Sequence, residues 1–316
     1  MQEGSRRAII AAFLANFGIA VAKFVGFAFT GAASMLAEAV HSVADTTNQG
    51  LLLLGSRRAR RKPTPEHQLG YGRERYFWAF VVALVIFSLG SLFALLEGAE
   101  KLREPHQLES VEWAVGILLV AIVLEAFSLR TAVKEASQVK GRQSWWRFIH
   151  RSKVPELPVV LLEDFGALLG LAFALGGIAL AAITGDSRWD AVGSLAIGVL
   201  LGAIAIILIV EMKSLLIGEA ADPEVEQAIR KAIESHPCVK RLIHMRTQHL
   251  GPDEIFLGAK IELDEHLDTA GVAREIDDVE RAVRARVPNV HLLIYVEPDV
   301  FKGQRLTRAS DSVQRA

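Results

Sequence analysis

The chain has 316 residues, of which 51% are hydrophobic, with a mean hydropathy of +0.31 and a formal net charge of -1. A soluble protein of this length is rarely so apolar, which indicates a membrane protein. The near-neutral charge gives no indication of an acidic partner, and we expect neither a nucleic-acid partner nor a prosthetic group. The single cysteine, Cys238, excludes an intramolecular disulfide and a cysteine cage for a metal within one chain.

Six apolar runs are long enough to cross about 30 Å of hydrocarbon as helices. Lipid offers the backbone no hydrogen-bond partners, so each run must be helical. In chain order the predicted spans are residues 8–30, 34–56, 77–100, 112–136, 158–183 and 190–216. The first run is too long for the apolar core of a signal peptide and is interpreted as a retained span. The sequence therefore predicts an all-α six-helix transmembrane bundle over residues 1–217.

Basic residues are concentrated on one side of the predicted bundle. They are Arg6 and Arg7; Arg57, Arg58, Arg60, Arg61 and Lys62; and Lys140, Arg142, Arg147, Arg151 and Lys153. The opposite loops carry only Lys101, Arg103 and Arg188. Because basic loops stay in the cytoplasm, both termini are predicted to be cytoplasmic. No organelle-targeting leader is visible, so we expect the inner (plasma) membrane of a bacterium, with an organelle membrane as the alternative.

The last third of the chain has the composition of a soluble domain. Its predicted elements are a helix at 222–235, strands at 242–248 and 255–263, a helix at 269–287 and a strand at 291–297. Asp222 and Pro223 are typical of a helix start. This α-β-β-α-β order predicts a small cytoplasmic α+β domain over residues 218–300, followed by a disordered tail over 301–316.

The second predicted span contains ionisable residues, which cost a few kcal/mol or more near the bilayer centre and mark functional candidates. His41 and Asp45 are four residues apart, about one helical turn, so both project from one face about 6 Å apart along the axis. An imidazole and a carboxylate at that spacing can share one metal ion. Asn48 lies further along a neighbouring line of the same face.

The fifth predicted span carries two adjacent acids, Glu163 and Asp164. Neighbouring helical residues point about 100° apart, so only one can face a given partner squarely. If Asp164 faces the second span, it joins His41 and Asp45 as a set of one nitrogen and two carboxylates. Asn48, Glu163 or water could fill the fourth position. Such a set suits tetrahedral zinc and also accepts cobalt, iron or manganese.

These polar residues also have a structural alternative, in which they form hydrogen bonds that hold helices together. The role of Glu125 in the fourth span has the same two interpretations: it is either a neighbour of the metal site or an interhelical hydrogen-bond partner. The presence of acids in two separate spans favours the metal site over the structural alternative.

Six spans, cytoplasmic termini, the His41-x-x-x-Asp45 pair and a terminal α+β domain resemble the cation diffusion facilitator family of metal–proton antiporters. The likeness extends over about residues 6–300. Further matching segments are Tyr71-Gly72-Arg73-x-Arg75, Asp190 at the start of the sixth span, Met245-Arg246-Thr247 and Val296-Glu297-Pro298. The Leu161-Leu162-Glu163-Asp164 run resembles the branch that contains zinc transporter nine.

The resemblance implies a homodimer with a metal site between the second and fifth helices. It places His41, Asp45 and Asp164 at ligand positions. A further ligand position, four residues before Asp164, holds Val160 in this chain. The implied site is therefore one ligand short unless Glu163 or Asn48 compensates.

Other metal sites known in the family are not expected here. In the loop before the third span only His67 is retained, beside Thr64 and Tyr71. In the cytoplasmic domain only Glu297 matches a ligand position, and the others hold Ile243, Lys260 and Tyr295. The remaining histidines of this domain are interpreted as surface residues: His244, His249, His266 and His291. We therefore expect a domain that dimerises without a metal cluster.

Together these features predict a proton-coupled antiporter that exports a divalent transition metal by alternating access. Zinc is the expected cargo, with manganese, iron or cobalt as the alternative. Metal ions and protons would compete for the same ligands, because zinc requires them deprotonated. Two other functions stay open: a non-transporting subunit of the same fold, motivated by Val160, and an intramembrane hydrolase. No His-Glu-x-x-His motif supports the latter, so we do not expect an enzyme.

Overall fold

A computed structural model describes residues 33–104, 111–264 and 266–300, together with single positions between residues 13 and 28. Within the helices it leaves out the side chains of residues 33–42, 44, 86, 113 and 114. The first predicted span, apart from those single positions, and the predicted disordered tail lie outside the described residues. The chain divides into two compact units, residues 1–217 and 218–316, and each unit has its own apolar core.

Helices form the described part of the first unit. They are α1 (Ala33–Arg58), α2 (Glu74–Val81), α3 (Ser88–Arg103), α4 (Val111–Lys140), α5 (Trp145–Arg151), α6 (Glu156–Thr184) and α7 (Arg188–Ile217). A π-helical stretch, Val82–Phe87, joins α2 to α3, so the three segments form one continuous helix. In the short helix α5, the Ser144 hydroxyl accepts a hydrogen bond from the backbone N–H of Arg147 and caps the first turn.

Four helices of the described chain are long and apolar enough to cross a membrane. They are Glu74–Arg103, Val115–Lys140, Glu156–Thr184 and Arg188–Ile217, and they coincide with the third to sixth predicted spans. Helix α1 coincides with the second predicted span but is not among these four. A polar run from Thr46 to Gln49 lies in its middle and lowers its mean hydropathy. The count of six spans therefore stays a prediction.

Helix α7 is the central packing element among the described helices of the first unit. It contacts α2, the π-helical stretch, α3 and α6, while α4 packs on α6 and α1 packs on α2. The apolar core at these contacts includes Leu52, Tyr76, Val159, Leu208 and Met212. The core thus fixes α6, which carries the two adjacent acids, between α4 and α7.

Glycines allow α6 and α7 to approach at backbone distance. A Cβ atom added at Gly177 would lie 2.8 Å from the carbonyl oxygen of Trp189, and one added at Gly193 would lie 2.9 Å from that of Phe173. Real Cβ atoms do not come so close to backbone oxygens, so only glycine fits at these positions. Small residues at such contacts are typical of helix packing in membranes.

We expect Gly177→Ala to destabilise the protein by about 1–3 kcal/mol, because the added methyl forces the α6 and α7 backbones apart. Gly176→Ala is the matched control, since a Cβ atom there meets nothing within 4 Å. That control should be neutral or slightly stabilising, because alanine is the better helix former. Thermal unfolding midpoints in detergent check both variants, and equal midpoints would contradict the close packing.

The second unit is a three-stranded sheet with two helices. Its elements are α8 (Pro223–Glu234), β1 (Val239–Gly251), β2 (Glu254–Leu263), α9 (Thr269–Arg286) and β3 (His291–Pro298). Strand β2 lies in the middle, antiparallel to β1 and parallel to β3, and α9 provides the crossover to the parallel strand. The predicted α-β-β-α-β order of this domain is confirmed.

The core of the second unit follows from the alternation along β2, where buried and partly exposed residues succeed one another. The alternate residues Leu257 and Ile261 pack with Ile233 of α8 and Val279 of α9. One interpretation was wrong: His249, expected at the surface, is only 4% exposed. Its Nδ1 atom shares a hydrogen bond of 3.1 Å with the carbonyl of Gly251.

Candidate metal centre

The polar run in the middle of α1 meets the acidic pair of α6. Asn48 is 2% exposed, and its Nδ2 atom donates a hydrogen bond of 2.7 Å to Glu163 Oε1. Asp45 lies three residues earlier on α1, close enough for its charge to act on Glu163 and on Asp164. The structure therefore brings together four of the five residues that the sequence proposes for the metal site.

Helix α4 supplies the other side of the acidic pair. Ser128 donates a hydrogen bond of 2.9 Å from its hydroxyl to Asp164 Oδ2, and Asp164 is 7% exposed. Glu125 lies three residues before Ser128, on the same side of α4, and its charge acts on Glu163. Four carboxyl groups from three helices thus influence one another in an apolar part of the molecule.

Two oxygen atoms of this cluster are buried without a hydrogen-bond partner among the described residues. They are Asn48 Oδ1 and Glu163 Oε2, each on a side chain whose other polar atom makes the bond between α1 and α6. A buried polar atom without a partner costs about 1–3 kcal/mol. Carbonyl and carboxylate oxygens are metal ligands, so the cluster can offer both atoms to a cation.

His41 also belongs to α1, but its side chain lies outside the part of the chain that the structure describes. Val160, at the position where the resemblance implies a ligand, packs against the apolar core of the first unit. Ser128 was not predicted as part of the site. A signal was present in its spacing of three residues from Glu125, which places both on one side of α4.

A cluster of four carboxyl groups can be neutralised by a divalent cation or by protons, and each form relieves the repulsion between like charges. Metal binding requires deprotonated ligands, so the two forms exclude one another at the same oxygens. Chemically, the arrangement of Asp45, Glu125, Glu163 and Asp164 can bind a cation and release protons, or the reverse.

A buried ion pair holds the first turn of α6 against the first turn of α2. Arg75 donates from Nε to Glu156 Oε1 at 2.6 Å and from Nη2 to Glu156 Oε2 at 2.8 Å. Both side chains are almost fully buried, with 6% and 3% of their surfaces exposed. Glu156 lies about 12 Å along α6 from Asp164, at a rise of about 1.5 Å per residue. The pair therefore positions the helix that carries the acids.

The loop between α1 and α2 brings together the residues at the family's loop-site positions. The hydroxyls of Thr64 and Tyr71 are 3.1 Å apart and share a hydrogen bond. The ring of His67 packs edge-on against Tyr71, with 4.7 Å between centroids. Thr64 and Tyr71 are thus hydrogen-bonded to one another and His67 packs on Tyr71, and only His67 is a strong zinc ligand type.

At the family's cytoplasmic ligand positions the structure has an ion pair. Lys260 Nζ lies 2.9 Å from Asp299 Oδ2 and 2.9 Å from Glu297 Oε1. Hydrogen bonds to Asp299 and to Glu297 raise the pKa of Lys260, because both favour the charged ammonium. A fixed positive charge therefore accompanies the one acidic residue, Glu297, that matches the family pattern.

Long apolar helices with a buried acidic cluster, followed by a compact α+β unit, define a membrane cation transporter as the class of protein. Residues 9–217 match the family model described as the cation efflux transmembrane domain, and residues 221–299 match the cation efflux protein cytoplasmic domain. The chain belongs to this cation efflux family. The predicted resemblance is confirmed, and members of the family are transporters.

Individual relatives cover most of the chain. The mitochondrial proton-coupled zinc antiporter SLC30A9 of Mus musculus is 33% identical over 258 residues, which are 81% of this chain and 45% of that protein. Metal tolerance protein C4 of Arabidopsis thaliana is 30% identical, covering 82% of this chain and 57% of that protein. The cation-efflux pump FieF of Pectobacterium atrosepticum is 27% identical, covering 88% and 87%.

The chain spans about half the length of the SLC30A9 relatives that it matches, 45% in the mouse protein and 50% in that of Xenopus laevis. Among solved structures, the MamM-CTD is similar to part of this chain. It has 22% sequence identity and a TM-score of 0.23, and it covers 25% of this chain and 96% of that one.

Proposed function

We propose that this protein is a proton-coupled antiporter that exports a divalent transition metal, with zinc as the cargo. The observation that carries the proposal is the meeting of Asp45, Asn48, Glu163 and Asp164 inside an apolar helical unit. The names of the SLC30A9 and FieF relatives support zinc, proton coupling and efflux. Manganese, iron and cobalt are the alternative cargoes, because oxygen-rich ligand sets also accept them.

In the proposed mechanism the site alternates between two openings. Open to the cytoplasm, His41, Asp45 and Asp164 bind the metal as they lose protons, and Glu163 or Asn48 completes the ligand set. Open to the other side, the same groups take up protons and release the metal. His41 is suited to carry a proton, because its unperturbed pKa lies near neutrality. Rocking of the helices that carry the site would supply alternating access.

The proposed architecture has a six-span transport domain over residues 1–217 and a cytoplasmic dimerisation domain over residues 218–300. Two copies of the chain form a homodimer, as the dimerisation character of the matched cytoplasmic domain supports. The charge asymmetry of the loops supports cytoplasmic termini. We further propose the inner membrane of a bacterium, although the SLC30A9 relatives carry a mitochondrial name.

Transport into liposomes tests the function. Purified protein is reconstituted, a pH gradient is imposed, and uptake of zinc, manganese, iron and cobalt is followed together with internal pH. We expect uptake of zinc coupled to proton movement in the opposite direction, and loss of both in Asp45→Ala and Asp164→Ala. Uptake of another of the four metals in place of zinc would change the metal assigned as cargo and leave the proposed antiport function unchanged.

A non-transporting subunit is the second candidate, because Val160 packs against the apolar core where the resemblance implies a ligand. Folded wild-type protein that moves none of the four metals across a pH gradient would favour this candidate. Restoring the implied ligand with Val160→His then becomes informative. Gain of zinc uptake in that variant would show that the site had lost a ligand.

A further inference from the structure

His236 stands in the turn between α8 and β1 and lies against α9. Its backbone N–H donates to the carbonyl of Ile233 at 3.2 Å, and its carbonyl accepts from the N–H of Val239 at 3.0 Å. These bonds fix the turn. On α9, Glu275 and Asp278 are three residues apart, so their carboxylates lie on the same face of the helix.

The three side chains converge at the spacing of metal ligands. One donor atom from each of His236, Glu275 and Asp278 lies within 4.8 Å of the other two, and all three residues are partly buried. His236 Nδ1 is 3.8 Å from Glu275 Oε2. A tetrahedral zinc ion with ligand bonds of about 2.0–2.2 Å requires donors about 3.3–3.6 Å apart. The donors lie up to 4.8 Å apart, so binding an ion would require the three side chains to move closer together.

The imidazole supplies an independent indication of a ligand. Its Nδ1 atom is buried and has no hydrogen-bond partner among the described residues. The side chain as a whole is 14% exposed, so solvent reaches it poorly. A buried ring nitrogen without a partner is costly, and a metal ion beside two carboxylates would remove that cost.

We propose that His236, Glu275 and Asp278 bind one divalent transition-metal ion of the zinc type in the cytoplasmic domain. One nitrogen and two carboxylate oxygens form a set that zinc accepts, with water in the fourth position. The site is distinct from the family's ligand positions, where Lys260 and Glu297 form an ion pair. It also revises the expectation that this domain carries no metal cluster.

Two neighbours of the proposed site affect how tightly it binds. Asp278 forms an exposed ion pair of 2.7 Å with Arg281, which competes weakly because exposed pairs contribute little. The Cys238 thiol donates a hydrogen bond to Glu275, which raises the pKa of Cys238 because it favours the neutral thiol. An ion bound here would tie α9 to the turn before β1 and stiffen the domain.

Zinc binding by the full-length protein in detergent tests the proposal. Equilibrium dialysis followed by elemental analysis gives the number of ions per chain and their affinity. We expect Asp278→Asn and His236→Ala each to lose one ion per chain, or to weaken its binding by at least about tenfold, because even residues outside the ligand shell contribute about that much to metal affinity. His244→Ala is the control, because His244 is an exposed histidine outside the cluster and should keep that ion.

A second readout separates ligand loss from misfolding. Zinc should raise the thermal unfolding midpoint of the wild-type protein, since an ion that binds only the folded state stabilises it. Asp278→Asn should unfold at the wild-type temperature without zinc and lose the zinc-dependent rise, because Asp278 is half-exposed. Wild-type affinity and midpoint shift in this variant would overturn the proposal. Glu163→Gln should retain this ion. Loss of the proposed membrane site can therefore be distinguished from loss of the proposed cytoplasmic site.

Discussion

Glu163→Gln is expected to lower the rate of zinc–proton exchange by about a hundredfold. The amide has the size of the carboxylate, and its carbonyl can still accept the hydrogen bond from Asn48, which is 2.7 Å long in the wild type. The variant therefore keeps the contact between α1 and α6 but loses a charge and a ligand oxygen. Interactions with a charged group contribute about 1.5–3 kcal/mol, which corresponds to about one to two orders of magnitude.

Initial rates of zinc uptake into liposomes measure this effect, with the amount of reconstituted protein matched between variants. Glu135→Gln is the matched control, because it makes the same change on a partly buried acid of α4 outside the cluster. The rate of zinc uptake by Asn48→Ala should be about tenfold lower than that of the wild type. This variant loses the hydrogen bond that positions Glu163 but keeps the carboxylate. Wild-type rates in Glu163→Gln, with Asp164→Asn inactive, would exclude Glu163 as a ligand.

The sequence anticipated the elements of the second unit and the meeting of α1 and α6. Both depend on local patterns: alternation along β2, helical periodicity on α9, and acids within apolar runs that lipid does not tolerate. The helix of residues 33–58 could also be anticipated, although its polar middle makes its hydropathy unlike that of the four apolar helices.

The sequence could not assign separate partners to the two adjacent acids. From their angular separation only one was expected to face a given helix squarely. In the structure Glu163 bonds to Asn48 on α1 while Asp164 bonds to Ser128 on α4, so both acids are used. Which helix each acid meets depends on how α6 is rotated between its neighbours, and that rotation is set by tertiary packing.

The cytoplasmic cluster was missed for a related reason. His236 and Glu275 are almost 40 positions apart in the sequence, and β1, β2 and the start of α9 lie between them. The helical spacing of Glu275 and Asp278 is visible in the sequence, but such spacings are common on exposed helices. Only the fold shows that the turn before β1 returns to the middle of α9.

The ion pair between Arg75 and Glu156 is also a tertiary feature, and removal of one of its two partners should have the largest effect on stability. We expect Arg75→Met to destabilise the protein by about 3–5 kcal/mol, because it leaves the Glu156 carboxylate buried without its bidentate partner. The double variant Arg75→Met with Glu156→Met should recover most of this loss, since no charge is then left unpaired and the apolar volume is similar. Thermal unfolding midpoints in detergent compare the stability of the wild type, Arg75→Met and the double variant.

Arg281→Met is the control for this prediction, because it breaks an ion pair whose arginine is 74% exposed. Exposed pairs contribute about 0–1 kcal/mol, so this variant should unfold close to the wild-type temperature. A double variant as unstable as Arg75→Met would mean that the arginine acts through contacts other than Glu156. Recovery in the double variant would instead show that the loss in Arg75→Met comes from the unpaired Glu156 carboxylate. Zinc transport by that stable variant would then report how far the acidic cluster depends on the position of α6.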